Sequence, residues 1–163
     1  MSLLPDGSAA ARAALLLAFA VPAALLGGAY IGEYLFGLWP CEMCWWQRYA
    51  HFAALACAGL ALVRPPADLL VRLAALAILT GGLIGAYHAG VEYGWWTGFT
   101  TCTSEVAFSG DPLSDILNAP MVRCDQVQWE LLGISLAGFN FLISVPAALL
   151  VFVLLGRGKR AAA

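Results

Sequence analysis

Charge is what this 163-residue chain lacks most: 11% of its residues are Asp, Glu, Lys or Arg, against 62% hydrophobic. A soluble domain carries about 25% charged residues, so the composition excludes an ordinary one and excludes a disordered segment as well. Eight basic residues stand against ten acidic ones, which leaves no cationic field for nucleic acid. Histidine is rare, with two copies. Five cysteines are too few for a disulfide scaffold, yet enough for a redox or metal centre. No internal repeat or low-complexity linker divides the chain, and its length suits one integral membrane domain over 1–163.

What the chain has instead is long uncharged stretches. Residues 13–32 and 131–156 carry no charge, and residues 73–91 contain only His88. A helix rising about 1.5 Å per residue needs about 20 residues to cross about 30 Å of hydrocarbon. The pattern predicts an all-α polytopic membrane protein, a four-transmembrane-helix bundle with spans near 13–36, 44–63, 70–91 and 131–155. Outer loops fall near 37–43 and 92–130. Arg12, Arg64, Arg72, Arg157, Lys159 and Arg160 share one side, while only Arg48 and Arg123 lie toward the other. That bias puts both termini in the cytoplasm. The first apolar run exceeds the usual 7–15 residues or so of a cleaved leader, and no small-residue cleavage site follows it, so it reads as a retained span.

All six tryptophans (Trp39, Trp45, Trp46, Trp95, Trp96 and Trp129) sit at outer helix ends and mark the outer surface as the working one. The spacing of Gly81 with Gly85, and of Gly133 with Ser135 and Gly138, predicts close helix packing. In the long loop, Asp111-Pro112 followed by Leu113, Ile116 and Leu117 reads as a short amphipathic helix on the membrane surface, or as loop packed on the bundle.

Four cysteines lie on the outer side, and an oxidising compartment there lets disulfides persist. Position suggests Cys41 with Cys44 and Cys102 with Cys124; an interloop Cys41–Cys124 bond is the alternative. Cys57 lies about 20 Å deeper, beyond disulfide reach, and reads as a small apolar residue. Cys41-Glu-Met-Cys44 opens a helix just after Pro40, where the dipole and free N–H groups favour the reactive thiolate. Arg48, four residues on, shares the face of Cys44 and stabilises such a thiolate, or else snorkels to the surface. His88, near the outer end of its helix, reads as a hydrogen-bonding partner for a polar ligand head. His51, deeper on the Cys44 face, reads rather as a histidine satisfied by a neighbouring helix.

Leu38-Trp-Pro-Cys41-Glu-Met-Cys44-Trp-Trp-Gln47-Arg48 resembles the signature of the disulfide bond formation protein B (DsbB) family. So do Tyr87-His88-Ala-Gly-Val-Glu92, Cys102, Arg123-Cys124-Asp125, Trp129, Gly133-Ile-Ser135 and Asn140, and the resemblance runs from about 15 to 155. It implies a quinone-dependent thiol oxidase of the bacterial inner membrane, with its redox loops in the periplasm. Its partner is a DsbA-like thioredoxin-fold protein, and its cofactor ubiquinone or menaquinone, with no metal. By the family pattern the partner attacks Cys102, freed Cys124 attacks Cys41, and Cys44 passes the electrons to quinone. The quinone is held by Cys44, Gln47, Arg48 and His88. Arg123 would favour Cys124 as the leaving thiolate, with Asp125 opposing it.

Three other classes remain in view. A vitamin K epoxide reductase-like enzyme places its loop cysteines before the C-x-x-C, the reverse of the order here. A non-catalytic four-cysteine zinc protein fits poorly with the 21 residues separating Cys102 from Cys124. A stapled scaffold leaves Arg48 beside the C-x-x-C without a purpose.

Overall fold

A computed structural model describes residues 9–63, 67–100, 102 and 122–162 of the chain. Four long helices dominate: α1 (Ala9–Phe36), α2 (Glu42–Val63), α3 (Ala67–Glu92) and α4 (Leu136–Ala162). They pack in a ring, α1 on α2, α2 on α3, α3 on α4 and α4 back on α1, with few contacts across the diagonal from α1 to α3. Among the described residues, three helices are long and apolar enough to cross a membrane: Ala9–Phe36, Ala67–Glu92 and Leu136–Arg157. Gln47, Arg48 and His51 lower the apolar character of α2, which is why it is not among these three. Those polar side chains are buried inside the bundle, while α2 turns Tyr49, Phe52, Leu60 and Val63 outward. Leu16, Leu73, Leu83, Leu149 and Val153 likewise cover the outside. That inversion, polar within and apolar without, is what hydrocarbon demands of a bundle.

Two differences from the sequence expectation concern the start of the last helix. Its expected span from 131 to 155 begins instead at Leu136, because residues 130–135 form a small β-hairpin in an otherwise all-α chain. Strands β1 (Glu130–Leu131) and β2 (Ile134–Ser135) pair antiparallel, Glu130 opposite Ser135. The turn residues Leu132 and Gly133 have φ of 54° and 75°. Two successive positive φ values are what a two-residue hairpin with right-handed strand twist requires. Gly133 therefore serves a turn, not helix packing: a Cβ there would meet nothing within 4 Å. The amphipathic helix expected around residues 112–117 lies outside the described residues.

The packing role expected of Gly81 and Gly85 holds, whereas a Cβ on Gly138 would meet Ile134 of the hairpin at 2.9 Å. A Cβ on Gly81 would come within 3.2 Å of the His51 ring, and one on Gly85 within 2.9 Å of the Ala137 carbonyl oxygen. Gly82 is tighter still, 2.8 Å from Ser144 Cβ. These three positions bring α3 against α2 and α4 closely enough for short polar side chains to bond across helices. The bundle thus has two interiors. Leu15, Ala54, Ala58, Ile78, Ala148 and Val151 fill the half away from the loops. Cys41, Met43, Val91, Cys102 and Cys124 form the other, at the loop end.

Candidate functional site: two cysteine pairs above a polar cavity

Pro40 ends the connection from α1, and Cys41 stands just before the first turn of α2. Its sulfur accepts a hydrogen bond from the Cys44 backbone N–H at 3.3 Å, the place an Asp or Ser oxygen takes in an ordinary N-cap. The two sulfurs lie 2.8 Å apart as free thiols. The hydrogen bond shared with Cys44, and then burial, push the Cys41 thiol well above its usual value. The two sulfurs thus share one short contact, with the Cys44 side chain facing the bundle.

Cys102 and Cys124 form the second pair, joined by a disulfide with Cα atoms 5.4 Å apart. The Cys124 N–H also donates to the Cys102 carbonyl at 3.2 Å. Both residues are buried, and the ligand atoms of Cys41, His88 and Cys124 all lie within 4.8 Å of one another. Folding therefore brings the second pair directly against the first. Of the pairings left open by position, this structure contains Cys102–Cys124 and leaves Cys41 unlinked.

Below the C-x-x-C lies a cavity of about 270 Å³. Cys44, Gln47, Arg48, His88, Glu92 and Asn140 supply its polar wall, with Leu25, Leu38 and Phe139 among its apolar residues. Each residue expected to hold a ligand is therefore on this surface. Arg48 is placed differently from expectation in one respect. Its charge has a partner that was not expected, Glu33 at 2.5 Å. A second guanidinium N–H donates to the Ala29 carbonyl at 3.3 Å, and the plane lies 4.7 Å from the Tyr30 ring and 5.0 Å from Trp45. Both members of the ion pair are buried, with side chains 7% and 8% exposed, so Arg48 does not snorkel. No role for Glu33 follows from its place just past the uncharged run 13–32. A lone carboxylate inside an apolar helix is itself the signal that could have found it.

His88 touches both cysteine pairs. Its Nε2 lies 3.6 Å from Cys41 Sγ and 3.2 Å from the Cys124 carbonyl oxygen, and 3.8 Å from a Glu92 oxygen. Behind it Gln47 and Asn140 continue a polar chain into the bundle. His51 takes the structural role expected of it, bonded through Nε2 to Asn140 Oδ1 at 2.8 Å. Among the described residues, His51 Nδ1 and Glu92 Oε2 are the buried side-chain polar atoms without a partner.

Arg123 meets the opposition expected from Asp125. It pairs with Asp125 through two hydrogen bonds, and that contact holds the Asp125 carboxyl below the usual carboxylate range. Cys57 packs half-buried against the apolar core, away from the other four cysteines, as expected of a space-filling residue. Cys57→Ala should leave turnover within about twofold of wild type, because such a change removes one sulfur's volume and no polar contact. A tenfold loss in a steady-state assay would show that the residue does more than fill space.

Comparison with known proteins agrees with this geometry. The family model "Disulfide bond formation protein DsbB" matches residues 11–154. A "Disulfide bond formation protein B" from Verminephrobacter eiseniae is 34% identical, over 93% of this chain and 89% of its own. Proteins of the same name from Acidovorax sp. and Aromatoleum aromaticum are 33% and 31% identical, over 90% and 91% of this chain and 88% and 94% of theirs. No solved structure matches the chain.

Proposed function

The chain belongs to the disulfide bond formation protein DsbB family, a membrane protein of disulfide formation, and from that premise we propose that it is a thiol:quinone oxidoreductase. In this reading it reoxidises a periplasmic DsbA-like dithiol protein and passes the electrons to ubiquinone or menaquinone. It lies in the bacterial inner membrane with both termini cytoplasmic, and α2 makes the fourth crossing. The observation that carries the reading is the joint placement of the two cysteine pairs and the cavity: Cys124 beside Cys41, and Cys44 in the cavity wall.

The donor set fits a quinone head. Small-ligand sites usually span about 300–1,000 Å³, so a cavity of about 270 Å³ suits one substituted ring, with an isoprenoid tail left to the lipid. Bound there, a quinone supplies a two-electron, two-proton acceptor. Arg48, which keeps N–H groups beyond those given to Glu33 and Ala29, would hold a quinone oxygen, Gln47 and His88 would line the ring's polar edge, and the apolar wall would exclude water. The chain's own thiols carry out the rest. A partner thiolate attacks Cys102 Sγ, the Cys102–Cys124 bond breaks, and Cys124 leaves with the electron pair. Cys124 then attacks Cys41 Sγ of an oxidised Cys41–Cys44 pair, and Cys44 leaves as the thiolate facing the cavity.

The decisive experiment places the purified chain in vesicles containing ubiquinone or, in parallel, menaquinone, adds a reduced DsbA-like protein and follows quinone absorbance. Stoichiometric loss of quinone with partner oxidation is expected. No loss with either quinone would overturn the reading. Cys124→Ala removes the resolving thiol, so a mixed disulfide between Cys102 and the partner should accumulate on a non-reducing gel. An adduct that survives Cys102→Ala would reverse the assignment of the attacked cysteine.

A further inference from the structure

We propose that a buried chain from the Gly81 carbonyl through Asn140 and Gln47 locks His88 as its Nε2–H tautomer. His88 is then a hydrogen-bond donor that docks Cys124 beside Cys41, and it is no base. The tautomer rests on geometry alone; only its use in exchange between the two pairs rests on the function proposed above.

Backbone carbonyls accept hydrogen bonds and never donate, so they orient every ambiguous side chain attached to them. Asn140 Nδ2 lies 3.0 Å from the Gly81 carbonyl oxygen, which fixes which end of this amide is nitrogen. Its other N–H donates to Gln47 Oε1 at 2.7 Å. The Gln47 nitrogen must then be the atom 3.1 Å from the Met43 carbonyl, a second acceptor that agrees with the first. The same nitrogen donates to His88 Nδ1 at 3.0 Å, so Nδ1 carries the lone pair. A neutral imidazole with its lone pair on Nδ1 has its hydrogen on Nε2. That nitrogen faces the Cys124 carbonyl oxygen at 3.2 Å, a third pure acceptor. Both ends of the chain demand the same tautomer. Ser144 Oγ and His51 Nε2 close it by donating to Asn140 Oδ1 at 2.9 and 2.8 Å.

The consequence is chemical. Nε2–H holds the Cys124 backbone while lying 3.6 Å from Cys41 Sγ, so one hydrogen faces both partners of an exchange reaction. In the forward step the Cys124 thiolate attacks Cys41, the Cys41–Cys44 bond breaks, and Cys44 leaves with the electron pair. In the return step a Cys102 thiolate attacks Cys124 Sγ, the Cys41–Cys124 bond breaks, and Cys41 leaves as thiolate. No electron enters or leaves the chain in either step. A donor aimed at Cys41 favours the second departure, and docking favours both. Carrying its hydrogen, Nε2 also offers no lone pair to a metal ion between the two thiols.

The test uses the full chain in lipid nanodiscs, purified without a histidine tag, so that its two histidines are the only ones in the spectrum. Nitrogen-15 spectra at pH 7 should show His88 as neutral Nε2–H; an Nδ1–H or doubly protonated ring would overturn the proposal. Gln47→Glu presents an acceptor to Nδ1 and should move hydrogen onto it. Exchange is read without partner or quinone in a Cys102→Ala background, oxidised with diamide and acid-quenched, by mass spectrometry of Cys41–Cys124 against Cys41–Cys44. His88→Phe should slow formation of Cys41–Cys124 at least tenfold. His88→Gln, which offers N–H donors and no basic nitrogen, should stay within about threefold of the parent. His88→Gln as slow as His88→Phe, or an unaffected rate in His88→Phe, would overturn the donor role. Because no partner enters, failure of the vesicle assay above leaves this result standing by itself.

Discussion

Arg48→Met should raise the quinone concentration needed for half-maximal turnover at least tenfold while leaving the mixed disulfide with the partner intact. Tenfold corresponds to about 1.4 kcal/mol, less than a charged hydrogen bond to a buried acceptor typically contributes. The same change removes the counter-ion of Glu33, and breaking a buried pair from one side costs about 3–5 kcal/mol. Arg48→Met should therefore also lower the melting temperature in detergent. A double variant, Glu33→Gln with Arg48→Met, removes both charges and should recover most of that stability. It should recover none of the quinone affinity. Arg48→Lys keeps a charge for Glu33 but loses the planar fork that reaches Ala29 and stacks on Tyr30, so it should fall between the two. Wild-type quinone affinity in Arg48→Met would remove Arg48 from the site and leave it a purely structural ion pair.

Gly85→Val should cost less in stability but act directly on the exchange between the cysteine pairs. The first added carbon alone would lie 2.9 Å from the Ala137 carbonyl oxygen, 3.0 Å from Asn140 Nδ2 and 3.2 Å from Gln47 Oε1. The nearest of these is backbone, so α3 and α4 must separate, and overpacking of this kind costs about 1–3 kcal/mol. The contact also falls on the hydrogen bond between Asn140 and Gln47, and so on the support of His88. Exchange between the cysteine pairs should drop at least tenfold, measured as above. Gly59, where an added Cβ meets nothing within 4 Å, provides the control: Gly59→Ala should match wild type in both assays.

Much of this molecule is legible from its residues in order. Uncharged runs long enough to cross a bilayer depend on composition over about 20 neighbours, and three of the four expected spans are long, apolar helices. The C-x-x-C at the start of α2 is likewise local, since Pro40, a helix N-terminus and a three-residue spacing are all short-range features. His51 and Cys57 were readable too, because for a lone buried side chain the commonest role is packing. Residues 130–135 were not: an uncharged stretch gives the same signal for hairpin and helix, and only the positive φ of Leu132 and Gly133 separates them.

The sequence by itself determined which chemical groups are present and which lie at the loop end of the bundle. Tertiary structure decided whom each of them meets. Glu33 and Arg48 sit on different helices, and nothing along the chain pairs them; low-dielectric burial does, because neither charge is tolerable there alone. Gln47 is 41 residues from His88 and 93 from Asn140, and their contact exists only where Gly81 and Gly85 let three helices close together. Arg123, next to Cys124 in sequence, turns instead to Asp125, while Cys41, far away in sequence, becomes the neighbour of Cys124. Charge, hydrogen-bond capacity and thiol chemistry are properties of single residues. Their use depends on distance and on exclusion of water, which the packed bundle alone supplies.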